Sequence, residues 1–173
     1  MWTEETLDKV QHVKNCGVLF LHPYFNELFN KFSLLDNLSF KDEISKIKAV
    51  HFLYFLTTGN LEGEEDDFIF FKLLVGLEDS VFVAPQVGLT IEEQEYCTNI
   101  LNRFIKKWEV LKSTSIETIQ YNFLQRNGAL RLEEYTMDVF LEKSVFDVLL
   151  EHYPYKYSSI ELEWHSKLIR III

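Results

Sequence analysis

The sequence predicts an α+β fold that is mainly helical, with five to six helices and a small antiparallel sheet formed by the C-terminal third. Two patterns predict it. Apolar residues recur at helical spacing up to about residue 126, and from about residue 127 they alternate with polar residues, as in half-buried strands. The 173 residues suffice for a substantial core, so we expect one domain, 1–173. Its helical part covers about 16–126, and its hairpin, helix and strand part covers about 127–173.

The N-terminal segment begins with a polar stretch, residues 1–15, that fits a short helix or a strand. Residues 17–32 open with a strand-like apolar run and then become helical. The helical apolar positions fall at i, i+3, i+4 and i+7: Phe25, Leu28, Phe29 and Phe32. Pro23 suits the first turn of this helix, because its missing N–H would have no partner there anyway.

A second helix, at about 41–58, is predicted to lie at the centre of the core. It is apolar on nearly all sides from residue 49 to residue 56. Ser39 and Asp42 are expected to cap its start, and Gly59 ends it. The expected inward stripe comprises Ile44, Ile47, His51, Tyr54 and Phe55. An acidic loop then precedes a short helix at 68–77, whose positive N-terminal end the acidic charge complements.

The middle of the chain contains a loop and a long helix. Residues 80–89 are too rich in proline and glycine signals for regular structure. Thr90 and Glu93 stand in the relation of a capping box, which predicts a helix from Ile91 to about Leu111. Its inward stripe is Tyr96, Cys97, Ile100, Leu101, Phe104, Trp108 and Leu111.

A second capping box, Thr114 with Glu117, predicts another helix start, although Ser113 and Ser115 are acceptable caps too. The apolar stripe of this helix is Ile116, Ile119, Phe123 and Leu124. Asn127-Gly128 is expected to end it, with the glycine in the left-handed conformation.

A hairpin, a short helix and two strands are predicted to complete the chain. In the hairpin, Leu130, Leu132, Val139 and Leu141 face inward, and Arg131, Glu133, Asp138 and Glu142 face outward. Ser144 caps a short helix at 145–152, and Pro154 stops it. Its inward residues are Phe146, Leu149 and Leu150. The last strands are expected at 159–164 and 168–173.

Composition excludes several classes of partner. With 17 basic and 27 acidic residues the net charge is −10, which argues against nucleic-acid binding. The longest apolar runs fall short of the ~20 residues that span a bilayer, and no signal peptide is visible, so we expect a soluble protein without membrane insertion. Cys16 and Cys97 are interpreted as buried, reduced thiols of a cytosolic protein.

No reaction follows from the residues. The chain has no phosphate loop, no metal-ligand spacing and no nucleophile–base pair, so we expect no enzyme and no cofactor. His51 is interpreted as a core histidine held by a hydrogen bond, and His22 as a packing or turn residue. The acidic run at 62–67 is interpreted as a solvated loop. The alternative is a small metal-dependent hydrolase that uses His22, His51 and nearby carboxylates.

Five segments, in the same order and spacing over about residues 13–173, resemble the C-terminal domain of a known family. They are VKNCGVLFLHPYFNELFNKFSLL, KAVHFLYFLTTGN, FIFFKLLVGL, LKSTSIETIQYNFLQRNGAL and FDVLLEHYPYKYSSIELEWHSKLIRI. The family is that of the tape-measure proteins of phage-tail-like contractile injection systems. The positions singled out as structural or interface candidates are His22, Pro23, His51, Lys72, Thr114, Phe123, Gln125, Arg126, Gly128 and Trp164.

The resemblance implies a non-catalytic protein that sets the length of the inner tube and sheath during assembly. We expect it in the bacterial cytoplasm or within the assembled particle. The sequence lacks the extended stretch that a ruler needs, so we expect either a domain of a longer protein or a short stand-alone relative. Such a piece would anchor the ruler to the tube, baseplate or cap, and the C-terminal IRIII run could add a strand to a partner's sheet. A self-associating structural protein is a further alternative.

Overall fold

A five-stranded sheet and a set of helices enclose the hydrophobic core. The computed structural model describes residues 10–173, so most of the polar segment 1–15 lies outside the described residues. The strand order is β1-β4-β5-β7-β6, and β2 and β3 form a separate antiparallel pair. The strands are β1 (Gln11–Val13), β2 (Leu35–Asp36), β3 (Ser39–Phe40), β4 (Gly128–Leu132), β5 (Thr136–Leu141), β6 (Ser159–Ile160) and β7 (Leu168–Ile172).

The helices occupy most of the chain before β4, which confirms the mainly helical α+β class. The α-helices are α1 (Phe25–Lys31), α2 (Glu43–Thr58), α3 (Glu65–Val75), α4 (Ile91–Lys107) and α5 (Ile116–Ile119). A π-helical turn, Gln120–Leu124, continues α5. The 3₁₀ helices are Cys16–Tyr24, Glu109–Leu111 and Val145–His152.

The main sheet is mixed, whereas an antiparallel sheet of C-terminal strands was predicted. β7 pairs with β5 in parallel, and β1 joins from the N-terminal end of the chain. The parallel pair is possible because the long connection between β5 and β7 carries the chain back to the same end of the sheet. The prediction could not anticipate this pairing, since each strand on its own shows only alternation.

Helix α2 lies at the centre of the core, as predicted. Its apolar residues from Ala49 to Leu56 are buried or nearly so. The predicted stripe is wrong at Ile44, which is exposed. The Asp42 side chain caps the helix by accepting from the Ser45 N–H at 2.7 Å, so Ile44 falls in a first turn at the surface. Gly59 ends the helix in the left-handed conformation, at φ 71°.

Two capping boxes were predicted, and one of them is correct. Thr90 and Glu93 exchange hydrogen bonds at the start of α4. The Thr114–Glu117 box is wrong, and the alternative cap Ser115 is correct: it caps α5 and accepts from the Thr118 N–H at 3.2 Å. Thr114 instead donates its main-chain N–H to Leu111 in the preceding turn.

Gly128 does not take the left-handed conformation that was predicted. It is the first residue of β4, and the π-helical turn already ends at Leu124. The glycine is needed for close approach: a Cβ there would lie 2.8 Å from the Phe140 carbonyl oxygen and 3.0 Å from Cys16 Sγ. Alternation in sequence does not reveal such a contact between distant segments.

Asp138 is also an exception, because it was expected to face solvent and is fully buried. It lies in β5 between Arg131 of β4 and Arg170 of β7. Arg170 Nε and an Arg131 terminal nitrogen each lie 2.6 Å from its carboxylate oxygens. Burial alone would raise the pKa of Asp138, but hydrogen bonds and charges from the two arginines outweigh it and lower the pKa. The two arginines thus cover a buried carboxylate on the outer face of the sheet.

Candidate interaction surface

The loop of residues 78–89, called here the Phe82 loop, is held by His51 of α2. His51 is 6% exposed. Its Nδ1 accepts from the Gly88 N–H at 3.3 Å, so Nε2 carries the proton and donates to the Ala84 carbonyl oxygen at 3.1 Å. Burial lowers the pKa of His51 and the Lys48 charge adds to this, while the bond to Ala84 acts in the opposite direction. The neutral ring is therefore the form that fastens the loop.

Lysine side chains hold the same loop at its two ends. Lys72 of α3 is 5% exposed and donates from Nζ to the Asp79 carbonyl oxygen at 2.7 Å. Lys48 of α2 donates to the Gly88 carbonyl oxygen at 2.6 Å and pairs with Glu93 at the same distance. Helices α2 and α3 thus both bind the main chain of the loop through a lysine side chain.

Main-chain hydrogen bonds to residues 61–63 complete the support of the loop. The Gly63 N–H donates to Pro85, and the Val87 N–H donates to Leu61, each at 2.8 Å. Glu62 and Gln86 form an isolated antiparallel bridge between these bonds. The loop is irregular, as predicted, but Pro85 and Val87 pair their main-chain groups with residues 61–63 as strand residues do.

An aromatic side chain is presented at the surface of this fixed loop. Phe82 is 78% exposed. It stands beside a narrow apolar slot between the loop and α3, and Lys72 and Glu65 lie along the slot. The other lining residues are Phe68, Val81, Val83 and Pro85. Exposed aromatic anchors on a preorganised backbone are typical of protein interfaces.

Replacing His51 with phenylalanine is expected to destabilise the protein by about 1–3 kcal/mol, because Ala84 and Gly88 lose their partners in a largely buried site. The substitution should also reduce the loss of stability in acid. The folded-state pKa of His51 lies below its ordinary value of 6.5, so its contribution is complete above pH 6.5 and is lost as the pH falls below it.

Urea unfolding at pH 7.5 and at lower pH checks both effects of the His51 substitution. Burial also lowers the pKa of His22, so the variant should keep part of the acid sensitivity. An unchanged dependence on pH in the variant would contradict the role given to the neutral imidazole.

His22 and Pro23 lie together in the 3₁₀ helix Cys16–Tyr24. His22 is half-buried, and its Nε2 lies 2.8 Å from the Lys156 carbonyl oxygen in the C-terminal segment. Pro23 precedes α1 by two residues, and so lies outside the first turn of the α-helix where it was predicted.

Arg126 is buried with Phe123 where the N-terminal 3₁₀ helix crosses the π-helical turn. Its guanidinium lies over the rings of Phe20 and Phe123, 6.0 and 5.7 Å from their centroids. It forms an ion pair with Asp147, which in turn caps the 3₁₀ helix at 145–152 by accepting from the Ser144 N–H. This one side chain therefore connects three segments.

Gln125 forms a hydrogen bond to the C-terminal end of α2. Its Nε2 donates to the Thr57 carbonyl oxygen at 3.2 Å, and Gln120 donates to the Leu56 carbonyl oxygen at 3.0 Å. Carbonyls in the last turn of a helix have no partner within the helix, so the two glutamines satisfy them from outside. Thr114 is half-buried and takes no part in this arrangement.

Trp164 fastens the C-terminal segment to the end of α3. Its Nε1 donates to the Leu74 carbonyl oxygen at 2.9 Å, and its ring meets Phe29 and Phe40 edge-on at 5.4 and 5.2 Å. His165 Nε2 lies 3.1 Å from the neighbouring Leu73 carbonyl oxygen. The structure thus scatters the candidate residues over the molecule, where most of them bind main-chain carbonyls.

Several residues of the site were missed from the sequence. Phe82 could have been noticed as an apolar residue within a turn-rich loop. Gln120 and His165, which fasten other segments, carry no such signal, because their partners are main-chain atoms of distant residues.

The histidines of the hydrolase alternative bind different segments, His22 at Lys156 and His51 at Ala84. Within residues 10–173, no three histidine, cysteine or carboxylate side chains gather where they could hold a metal ion. The structure gives no support to that alternative. None of the helices within residues 10–173 has the length and hydropathy needed to cross a bilayer.

Fold and site together define an α+β protein in which polar side chains bind main-chain groups of separate segments, including those of an exposed loop. The chain belongs to the contractile injection system tape measure protein family, whose model matches residues 3–172. This establishes a tape-measure-related protein of a contractile injection system. No curated protein and no solved structure matches the chain.

Proposed function

We propose that this protein is a non-catalytic assembly domain that anchors the tape measure to the tube, baseplate or cap of the particle. It would act in the bacterial cytoplasm during assembly and remain within the finished particle. The proposal rests on what the candidate side chains bind. His22, His51 and Lys72 place their polar groups on main-chain carbonyls of separate segments.

Catalysis needs side chains that converge on one reacting atom. The side chains that the resemblance singles out instead hold segments of the fold together, which supports a function at the surface. The surface offers apolar groups suited to protein contacts. Phe82 is one of them, and Val145 and Val148 on the last 3₁₀ helix are others.

The C-terminal run IRIII, in β7, offers little free edge to which a partner could add a strand. β7 lies between β5 and β6 in the sheet, and the Ile171 N–H donates to the Ser158 carbonyl oxygen on the β6 side. Most of the edge that a partner's strand would need is therefore already occupied within the chain.

Purification of a tagged copy from cells that make the particle tests the proposal. We expect a tube, baseplate or cap protein to co-purify in a fixed ratio, and deletion of the gene to abolish particles or to broaden the distribution of sheath lengths in electron micrographs. Particles of normal number and uniform length in the deletion strain would contradict an assembly role. A tagged copy that purifies without any particle protein would contradict the anchoring role.

A further inference from the structure

We propose that the Phe82 loop and the N-terminal part of α3, from Glu65 to Lys72, form a docking surface for a basic, amphipathic segment of a protein partner. This inference rests on the proposed function and adds the chemistry of the partner to it. Phe82 would enter an apolar face of that segment, and basic side chains would pair with the carboxylates around the loop.

The apolar part of the surface is already formed in the free protein. Phe82 is exposed, while Val83 next to it is buried, so the loop directs one large side chain outward and is fixed by its neighbours. The slot beside Phe82 is lined mainly by apolar side chains of α3 and the loop. Because main-chain bonds and the His51 and Lys72 side chains hold the loop, binding would cost little conformational entropy.

The charge around this surface selects the partner. Residues 61–82 contain seven carboxylates and one basic residue, Lys72, whose side chain is buried. Asp67 is paired with Lys14, and Lys48 at the end of the loop is paired with Glu93, so the excess negative charge comes from the other carboxylates. Glu62, Glu65 and Glu78 are among the exposed ones. Their potential attracts a basic segment and speeds its association.

Lys72 adds a polar requirement at the slot. An ammonium group has three N–H donors, and within residues 10–173 that of Lys72 donates to the Asp79 carbonyl oxygen. A main-chain carbonyl of the partner could accept a second hydrogen bond. Glu65 already lines the slot, so a neutral acceptor suits this place better than a second carboxylate.

Other occupants fit the charge less well. A second copy of the chain would bring the same carboxylates against each other in a protein of net charge −10. An anionic membrane or a nucleic acid would be repelled for the same reason. A basic protein segment is therefore the occupant that the surface favours.

The test uses the full chain and two synthetic helical peptides, one of leucine and lysine and one of leucine and glutamate. We expect the lysine peptide to bind, more weakly at high salt, and to shift the NMR signals of the Phe82 loop and the start of α3. Phe82→Ala should weaken this binding by about tenfold or more, the loss typical of an interface hot spot. The control is Tyr121→Ala, which removes an equally exposed aromatic outside the loop and should leave the affinity unchanged.

Equal binding of both peptides, an equal loss in the two variants, or signal shifts away from the loop would overturn the inference. So would sedimentation that shows wild-type dimers which Phe82→Ala dissociates. Co-purification separates this inference from the proposed function. If wild type and Phe82→Ala retain the same particle protein equally, the docking surface is wrong and the anchoring role stands. If wild type retains none, the anchoring role itself is wrong.

Discussion

Gly17→Ala is expected to prevent the chain from folding. A Cβ at this position would overlap the Phe123 carbonyl oxygen and press on the Leu124 backbone. The atoms in the way belong to the main chain, so they cannot move aside as a side chain could. The Gly17 N–H also donates to the Arg126 carbonyl oxygen where the two segments cross. We expect a loss of more than about 4 kcal/mol, which is a large fraction of the stability of a typical domain. Circular dichroism and urea unfolding of the purified variant measure it.

Gly88→Ala is the matched control. The nearest atom to a Cβ there is His51 Nδ1 at 4.0 Å, an ordinary contact, so we expect a change within about 0.5 kcal/mol. A Gly17→Ala protein that unfolds cooperatively at the wild-type urea concentration would show that the two segments do not cross as described.

Arg126→Met is expected to cost about 3–5 kcal/mol, the range found when one partner of a buried ion pair is removed. Methionine keeps much of the volume between Phe20 and Phe123, so the loss should come mainly from Asp147, which is left without its ion-pair partner. Urea unfolding at neutral pH provides the measurement.

Arg103→Met is the control for this substitution. Arg103 pairs with Glu27, but about two-fifths of each side chain is exposed, at 42% and 41%, so we expect a cost of about 0–1 kcal/mol. Equal losses in the Arg126 and Arg103 variants would indicate that Arg126 is not a buried connection between segments.

Local patterns in the sequence predicted the parts of the fold that depend on neighbouring residues. The Thr90–Glu93 box, the Ser144 cap and the central place of α2 each follow from a few adjacent positions. Two errors are local, at the Thr114–Glu117 box and at Ile44, and the others concern residues whose environment lies far along the chain. Asp138 is buried by an arginine of another strand, and Gly128 is needed because Cys16 and Phe140 approach it.

The candidate surface was predictable only in part. The resemblance singled out His51 and Lys72, but not what they bind, because their partners are carbonyl oxygens of Ala84 and Asp79. Any residue can supply a main-chain carbonyl, so its side chain leaves no sign of the contact in the sequence. Phe82 was not singled out: an apolar residue in a turn-rich loop can be noticed, but a loop has no periodicity that would show whether that residue is exposed.

Hydrogen exchange of the main-chain amides is the most direct test of whether buried polar side chains hold the Phe82 loop rigid. The amides of Gly63, Val87 and Gly88 all donate to atoms within the chain. We expect them to exchange far more slowly than unprotected amides, and the Gly88 amide to lose this protection in His51→Phe. Exchange of all three at the unprotected rate in the wild-type protein would contradict the account.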